Sequence, residues 1–217
     1  MTSRERALAA SRGGEVDRRP NMSWLAGDST ADVTVVSCSA VSASLSEDRV
    51  VLAEVPNPFG LALGRGIDLN SALKEDPTAG GQVLDTLVEE VRIQIREGLD
   101  SGADGIFYRL HGANPQHCTP MQYGGHYLER DRELLTEAQG TVMNVLFISG
   151  PEEIYVDFVS DLPADIFAWD VHLSKVTATE VRSMRNGATA SADPTSEFAL
   201  LIGNERYLET LEQPNIG

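Results

Sequence analysis

The stretch GQVLDTLVEEVRIQIREGLDSGADGIFY, residues 81–108, joins a long amphipathic helix to a short apolar strand. Apolar side chains recur in it at helical spacing and predict one core-facing stripe, formed by Leu84, Leu87, Val88, Val91 and Ile95. Gly102 ends the helix, and residues 105–108 (GIFY) predict a compact strand. A helix followed directly by a strand is the repeating unit of parallel α/β proteins, so this stretch indicates the fold class.

The same order of helix and strand recurs on both sides of this stretch. Three units follow it: a helix near residues 127–138 with a strand at 142–148, a helix from Pro151 with a strand at 165–169, and a helix capped by Thr177-x-x-Glu180 with a strand at 188–192. Before it lie a helix capped by Thr2-x-x-Glu5 and strands near residues 22–25, 33–36 and 49–55. The alternation predicts at least five parallel strands, in either a (β/α) barrel or a doubly wound sheet.

The composition fits a single folded domain over residues 1–217. Hydrophobic residues make up 41% of the chain, which excludes a disordered acidic tail. With 33 Asp and Glu against 17 Lys and Arg, the formal net charge is −16, which argues against nucleic acid and anionic membranes as partners. The chain opens on charged residues, and no stretch approaches the roughly 18 apolar residues of a membrane span. We therefore expect a cytoplasmic protein.

The sequence holds little that favours a metal or nucleotide site. Cys38 and Cys118 lie far apart, which excludes a Cys-x-x-Cys site, and no glycine-rich nucleotide motif is present. His111, His117 and His126 with Cys118 could suggest a metal, but a Pro- and Gly-rich loop does not assure convergent ligands. We interpret these side chains as loop polarity and packing, and we expect no cofactor and no metal.

Polar side chains gather just after the apolar strand segments. Arg109 and His111 follow residues 105–108, Asp170 and His172 follow residues 165–169, and Asp193 follows residues 188–192. The carboxyl ends of parallel strands meet at one edge, so these side chains predict a site there. Alternation puts Asp170 and His172 on one side, where a carboxylate can orient an imidazole, although a solvated loop pair is the alternative. For Arg109 the alternative is a salt bridge to a surface carboxylate, and for Asp193 it is a helix cap.

Several sequence blocks together point to a known family. They are residues 3–10 (SRERALAA), 17–20 (DRRP), 56–59 (PNPF), 102–108 (GADGIFY), 127–135 (YLERDRELL), 144–150 (NVLFISG), 164–170 (ADIFAWD) and 193–194 (DP). In this order they resemble the uroporphyrinogen decarboxylase family, whose superfamily also includes cobalamin-dependent coenzyme M methyltransferases. The resemblance implies a TIM-like (β/α) barrel with its site at the carboxyl ends of the strands.

The resemblance also implies a function and roles for particular residues. The function would be that of a carboxy-lyase of tetrapyrrole biosynthesis, which removes carboxyl groups from the acetate side chains of uroporphyrinogen in a homodimer. Its best candidates here are Asp170 and His172 as catalytic residues and, for substrate binding, Arg19, Phe59, Arg109, His111 and Asp193. The alternatives are a relative that transfers methyl groups with a corrinoid or small methyl donor, and a degenerate barrel that serves as a binding subunit.

Two departures from the family pattern carry expectations of their own. Metal-binding relatives have a His-x-Cys-Gly motif where this chain has Phe147-Ile148-Ser149-Gly150, so a zinc site of that kind is not expected. The chain is also shorter than family members, and residues 205–217 offer no β-branched run. We therefore expect a shortened or incomplete barrel whose open edge is covered by a second subunit or by its own loops and C-terminal helix.

Overall fold

The computed structural model describes residues 1–24, 28–148, 150, 153–170, 174, 176–184, 188–192 and 199–203. The strands within these ranges are β1 (Asn21–Ser23), β2 (Val33–Ser37), β3 (Val50–Pro56), β4 (Gly105–Leu110), β5 (Val145–Ile148), β6 (Ile166–Trp169), β7 (Ala188–Ala192) and β8 (Ala199–Gly203). The α-helices are α1 (Ser3–Ser11), α2 (Val41–Ser44), α3 (Pro58–Gly64), α4 (Leu69–Glu75), α5 (Pro77–Asp100), α6 (Pro120–Gln122), α7 (Leu128–Glu137), α8 (Val156–Val159) and α9 (Ala178–Met184). A 3₁₀ turn (Cys38–Ala40) precedes α2, and a π-helical turn (Tyr123–Tyr127) joins α6 to α7.

The strands form a closed ring in which each pairs with the next along the chain. Neighbouring strands from β1 to β7 are parallel throughout. The last strand, β8, runs antiparallel to both β7 and β1. This topology confirms the predicted α/β fold and the TIM-like barrel, and it decides against a doubly wound sheet.

The barrel is shorter than a regular one. The prediction of an open edge is wrong, because the described strands close the ring. Only a 3₁₀ turn and the four-residue α2 lie between β2 and β3, where a regular barrel carries a full helix. Residues 193–198 separate β7 from β8, and a parallel crossover needs about a dozen residues, so the chain returns antiparallel instead. The strand that closes the ring is 199–203 (ALLIG), which precedes the tail 205–217 in the sequence.

Side chains alternate between the inside and the outside of the barrel. The inner cluster contains Val33, Val35, Val50, Leu52, Phe107, Val145, Ile166 and Ala168. On the outside, the helices pack on alternate residues such as Ile106, Tyr108 and Leu110. The stripe of α5 predicted from the sequence is confirmed, since all five of its side chains are buried in this outer cluster.

Helix α1 closes the amino-terminal end of the barrel. Ala7 and Ala10 pack into the inner cluster, and the capping box of Thr2 and Glu5 is confirmed. Arg6 is buried there and donates to Asp17 and Asp32, both at 2.6 Å. The opposite, carboxyl end of the strands is therefore where a ligand can reach the interior.

The later helices follow the prediction in part. The capping box of Thr177 and Glu180 is confirmed, with Thr177 N donating to Glu180 Oε2 at 2.8 Å before α9. The helix start expected at Pro151 lies outside the described residues, and the described helix in that region is α8. No helix among the residues described is both long and apolar enough to cross a bilayer.

Candidate functional site

The carboxyl ends of the strands surround an opening, the mouth of the barrel. An ion pair between Glu54 and Arg109 lies there. Glu54 is on β3 and Arg109 on β4, and both share the inner face with Leu52 and Phe107. Arg109 Nη1 donates to Glu54 Oε1 at 2.7 Å, and the two side chains are 41% and 25% exposed. Arg109 Nε is nevertheless buried and has no hydrogen-bond partner among the described residues. A buried donor without a partner is costly, but solvent does not reach Nε, so a ligand would meet the exposed part of the Arg109 side chain instead.

Three aromatic rings form the floor beneath this ion pair. Trp24 meets Phe107 edge to face at 5.0 Å between ring centroids, and Phe107 stacks on Phe147 at 5.5 Å. Phe107 is fully buried, whereas Trp24 and Phe147 are only partly buried and border the opening. The floor is therefore apolar, and two of its three rings are partly exposed.

The strand register places a small side chain beside Phe147. Arg109 pairs with Phe147 across β4 and β5, and Phe147 pairs with Ala168 across β5 and β6. Ala168 belongs to the inner cluster and carries only a methyl group. Along the wall of the mouth, the guanidinium of Arg109, the ring of Phe147 and the methyl group of Ala168 therefore follow one another.

Asn57 holds the loops after β3 and β4 together. Its side chain is fully buried, and Oδ1 accepts from Gly60 N at 2.9 Å and from His111 N at 3.0 Å. Asn57 Nδ2 donates to His111 O at 3.2 Å, so both backbone groups of His111 are bound by one side chain. A Cβ on Gly60 would lie 2.5 Å from Asn57 Oδ1 and 3.0 Å from His111 Cβ, which explains the glycine there.

Burial, with smaller effects from the charges of Arg109 and His117, lowers the pKa of His111 to about 4. Its imidazole is therefore neutral at pH 7. It can accept or donate a hydrogen bond near the mouth but adds no positive charge there.

Behind Asn57 lies a buried carboxylate, Asp131 of α7. It accepts hydrogen bonds from Tyr108 Oη at 2.7 Å and from Tyr123 Oη at 2.6 Å. Burial raises the pKa of Asp131 to about 6, although hydrogen bonds from Tyr123, Tyr108 and Asn57 act in the opposite direction. Tyr123 begins the π-helical turn, a local irregularity that is frequent at functional sites.

The structure brings some of the predicted site residues together at the mouth. Arg109 is the second-last residue of β4, and His111 directly follows that strand. Asp170 directly follows β6, so all three lie at the carboxyl end of the barrel. Phe59 is buried and stacks on Tyr127 at 4.1 Å between centroids, which gives it a packing role in α3. Arg19 precedes β1 and therefore lies toward the opposite, amino-terminal end. His172 and Asp193 lie outside the described residues.

Several residues of the site escaped the sequence analysis. Trp24, Asn57 and Phe147 gave no local signal of a site, since each lies in or beside an ordinary apolar strand. For Glu54 a signal was available, because a charged residue within the apolar strand segment 50–55 (VVLAEV) faces either solvent or a site.

The described residues of the mouth do not fit a zinc ion. Among the described residues there is no group of three or more His, Cys, Asp or Glu side chains that could hold a metal. Phe147, at the position of the family's ligand motif, is part of the aromatic floor. Cys118 donates to Gly112 O at 3.2 Å, and burial raises the pKa of its thiol to about 11, so it is not a ready thiolate ligand.

The fold is shared with a methyltransferase of known structure. A methyltransferase from Methanosarcina mazei superposes with a TM-score of 0.69 over 85% of this chain and 80% of that chain, at 13% sequence identity. No family model matches the chain, and no curated protein matches it either. The likeness establishes a common barrel fold with that methyltransferase.

Proposed function

We propose that the protein is a transferase that moves a methyl group, with its small-molecule substrate bound in the mouth of the barrel. One observation carries the location: the partly exposed guanidinium of Arg109, paired with Glu54, in an opening floored by aromatic rings. Active sites of TIM-like barrels lie at this end of the strands. The fold that the chain shares with the methyltransferase from Methanosarcina mazei supports the class of reaction.

The charge of the mouth favours this function over decarboxylation of uroporphyrinogen. A substrate with several carboxylates needs several cations to hold it. Among the described mouth residues, Arg109 is the cation, and it already pairs with Glu54, while Asp170 adds a second carboxylate. His111 is neutral at pH 7 because of its lowered pKa. The described residues of the mouth therefore offer such a substrate one cation, which is already paired.

Methyl transfer requires the protein to bind and orient its substrate and to accept a proton. A methyl group leaves its donor without the bonding electron pair and joins an electron pair of the acceptor, whose proton must then depart. Glu54 can accept that proton, since its carboxylate is partly exposed at the mouth. In the part of the chain that the structure describes, no group of side chains fits zinc, so no step is assigned to a metal.

The test is methyl transfer by the purified protein. Incubation with methylcobalamin and a small thiol, followed by visible absorbance of the cobalamin and detection of the methylated thiol, should show turnover. Arg109→Gln should lower kcat/KM by at least tenfold, since it removes the guanidinium. Arg65→Gln is the matched control, because Arg65 pairs with Glu90 at 2.6 Å with a similar exposure of 46%, on the outer surface.

The same protein is incubated in parallel with uroporphyrinogen, and the carboxyl count of the product is analysed by chromatography. Loss of carboxyl groups without methyl transfer would overturn the proposal in favour of a lyase. Absence of both reactions would overturn it in favour of a barrel that only binds its ligand.

A further inference from the structure

The mouth of the barrel carries both signs of charge within one small opening. Arg109 supplies a guanidinium, and Glu54 lies 2.7 Å from it. Asp170 follows β6 at the same end of the barrel. A ligand with only negative charges would meet the carboxylate of Glu54, and a ligand with only positive charges would meet the guanidinium of Arg109. We propose that the mouth binds a small zwitterion, a molecule with one carboxylate, one ammonium group and an apolar body; the inference rests on the proposed function and names its substrate class.

Arg109 provides the place for the ligand's carboxylate. Nη1 is engaged by Glu54 Oε1, whereas Nη2 has no hydrogen bond to any residue that the structure describes, and the side chain is 41% exposed. A guanidinium group binds a carboxylate through its N–H donors, and the donors of Nη2 remain for this use. The ion pair with Glu54 fixes the guanidinium plane, so little side-chain entropy is lost when a carboxylate docks.

Glu54 provides the place for the ligand's ammonium group. Its Oε1 accepts from Arg109, and Oε2 has no hydrogen bond to any residue that the structure describes. An ammonium group has three donors and no acceptor, so it suits a carboxylate oxygen that remains open. Carboxylate and ammonium of one ligand would thus lie beside each other, as Arg109 and Glu54 do.

The aromatic floor and Ala168 provide the place for an apolar body. Phe147 is the cross-strand neighbour of Arg109, and Trp24 lies 6.4 Å from Phe147 between ring centroids. Both rings are partly exposed and present flat apolar surface. Ala168, next to Phe147, adds a small apolar side chain to this surface. An aromatic amino acid matches this combination of charge and surface.

Three ligands that differ only in charge test the inference. They are L-phenylalanine, its carboxamide at a pH where the amine is protonated, and 3-phenylpropionate, with binding measured by calorimetry. We expect phenylalanine to bind at least tenfold more tightly than either analogue. Arg109→Gln should remove the preference for phenylalanine over the carboxamide, and Glu54→Gln should remove the preference over 3-phenylpropionate. Arg65→Gln should leave all three affinities unchanged.

Equal binding of phenylalanine and 3-phenylpropionate would overturn the inference, because the ammonium group would then contribute nothing. Equal binding of the carboxamide, or no binding by any of the three, would overturn it as well. The outcome is separable from that of the proposed function. Zwitterion binding without methyl transfer defeats the proposed function alone, and methyl transfer without the charge preference defeats this inference alone.

Discussion

Replacement of Asp131 by asparagine should change how the stability of the protein depends on pH. Burial raises the pKa of Asp131 from the usual 3.8 to about 6, so the folded protein holds this proton more tightly than the unfolded chain. The stabilising contribution of the protonated group is complete below about pH 4 and is lost as the pH rises through about 6. At 1.36 kcal/mol per unit, a shift of roughly 2 units corresponds to about 3 kcal/mol. A side-chain amide at this position does not titrate, so this loss should be absent from Asp131→Asn.

Urea unfolding of both proteins between about pH 4 and pH 7 measures the effect. The free energy of unfolding of the unchanged protein minus that of Asp131→Asn should fall by about 3 kcal/mol over this range. The difference removes the contributions of the other carboxylates, which the two proteins share. Asp157→Asn, at an exposed position of α8, controls for the loss of one negative charge. A difference that stays constant or rises with pH would refute the reasoning.

Four further outcomes are expected. Tyr123→Phe should destabilise the protein by about 1–3 kcal/mol in urea unfolding, since Asp131 would lose a buried hydrogen-bond donor; a loss below about 0.5 kcal/mol would contradict this. Gly60→Ala should destabilise it by about 1–3 kcal/mol, because the new Cβ would crowd Asn57 and His111; an unchanged urea midpoint would show that the loop gives way freely. Light scattering at physiological salt should report the homodimer that the family resemblance implies, although the closed ring of the described strands leaves no open edge for a partner to cover; a monodisperse 23.5 kDa monomer would refute that expectation. Elemental analysis after dialysis should find no stoichiometric zinc, and its presence would make His111, His117 and Cys118 the ligands to replace.

The sequence was most informative where local periodicity and local capping decide the structure. The stripe of α5 could be predicted because every buried residue lies three or four positions from another. Arg109 and His111 could be placed at the mouth because they directly follow a short apolar strand in a parallel protein. The caps at Thr2 and Thr177 bind groups only three residues away, so no tertiary information was needed.

Contacts between distant parts of the chain could be seen only in the tertiary structure. Asp131 lies on an amphipathic helix with other acids, and its burial depends on Tyr108, which is 23 positions away on β4. Strand β8 also escaped prediction, because its direction depends on the short connection from β7 and on the gap that only a closed ring defines.

The sequence alone determined an acidic chain of alternating helices and strands, with polar residues after the strands. These properties follow from composition and from periodicity over neighbouring residues. The tertiary structure alone decided that Glu54 binds Arg109 across 55 positions and that Trp24 and Phe147 share one floor. Strand pairing and barrel closure bring these side chains together, and no local pattern encodes which strands become neighbours or which inner residues meet at the mouth.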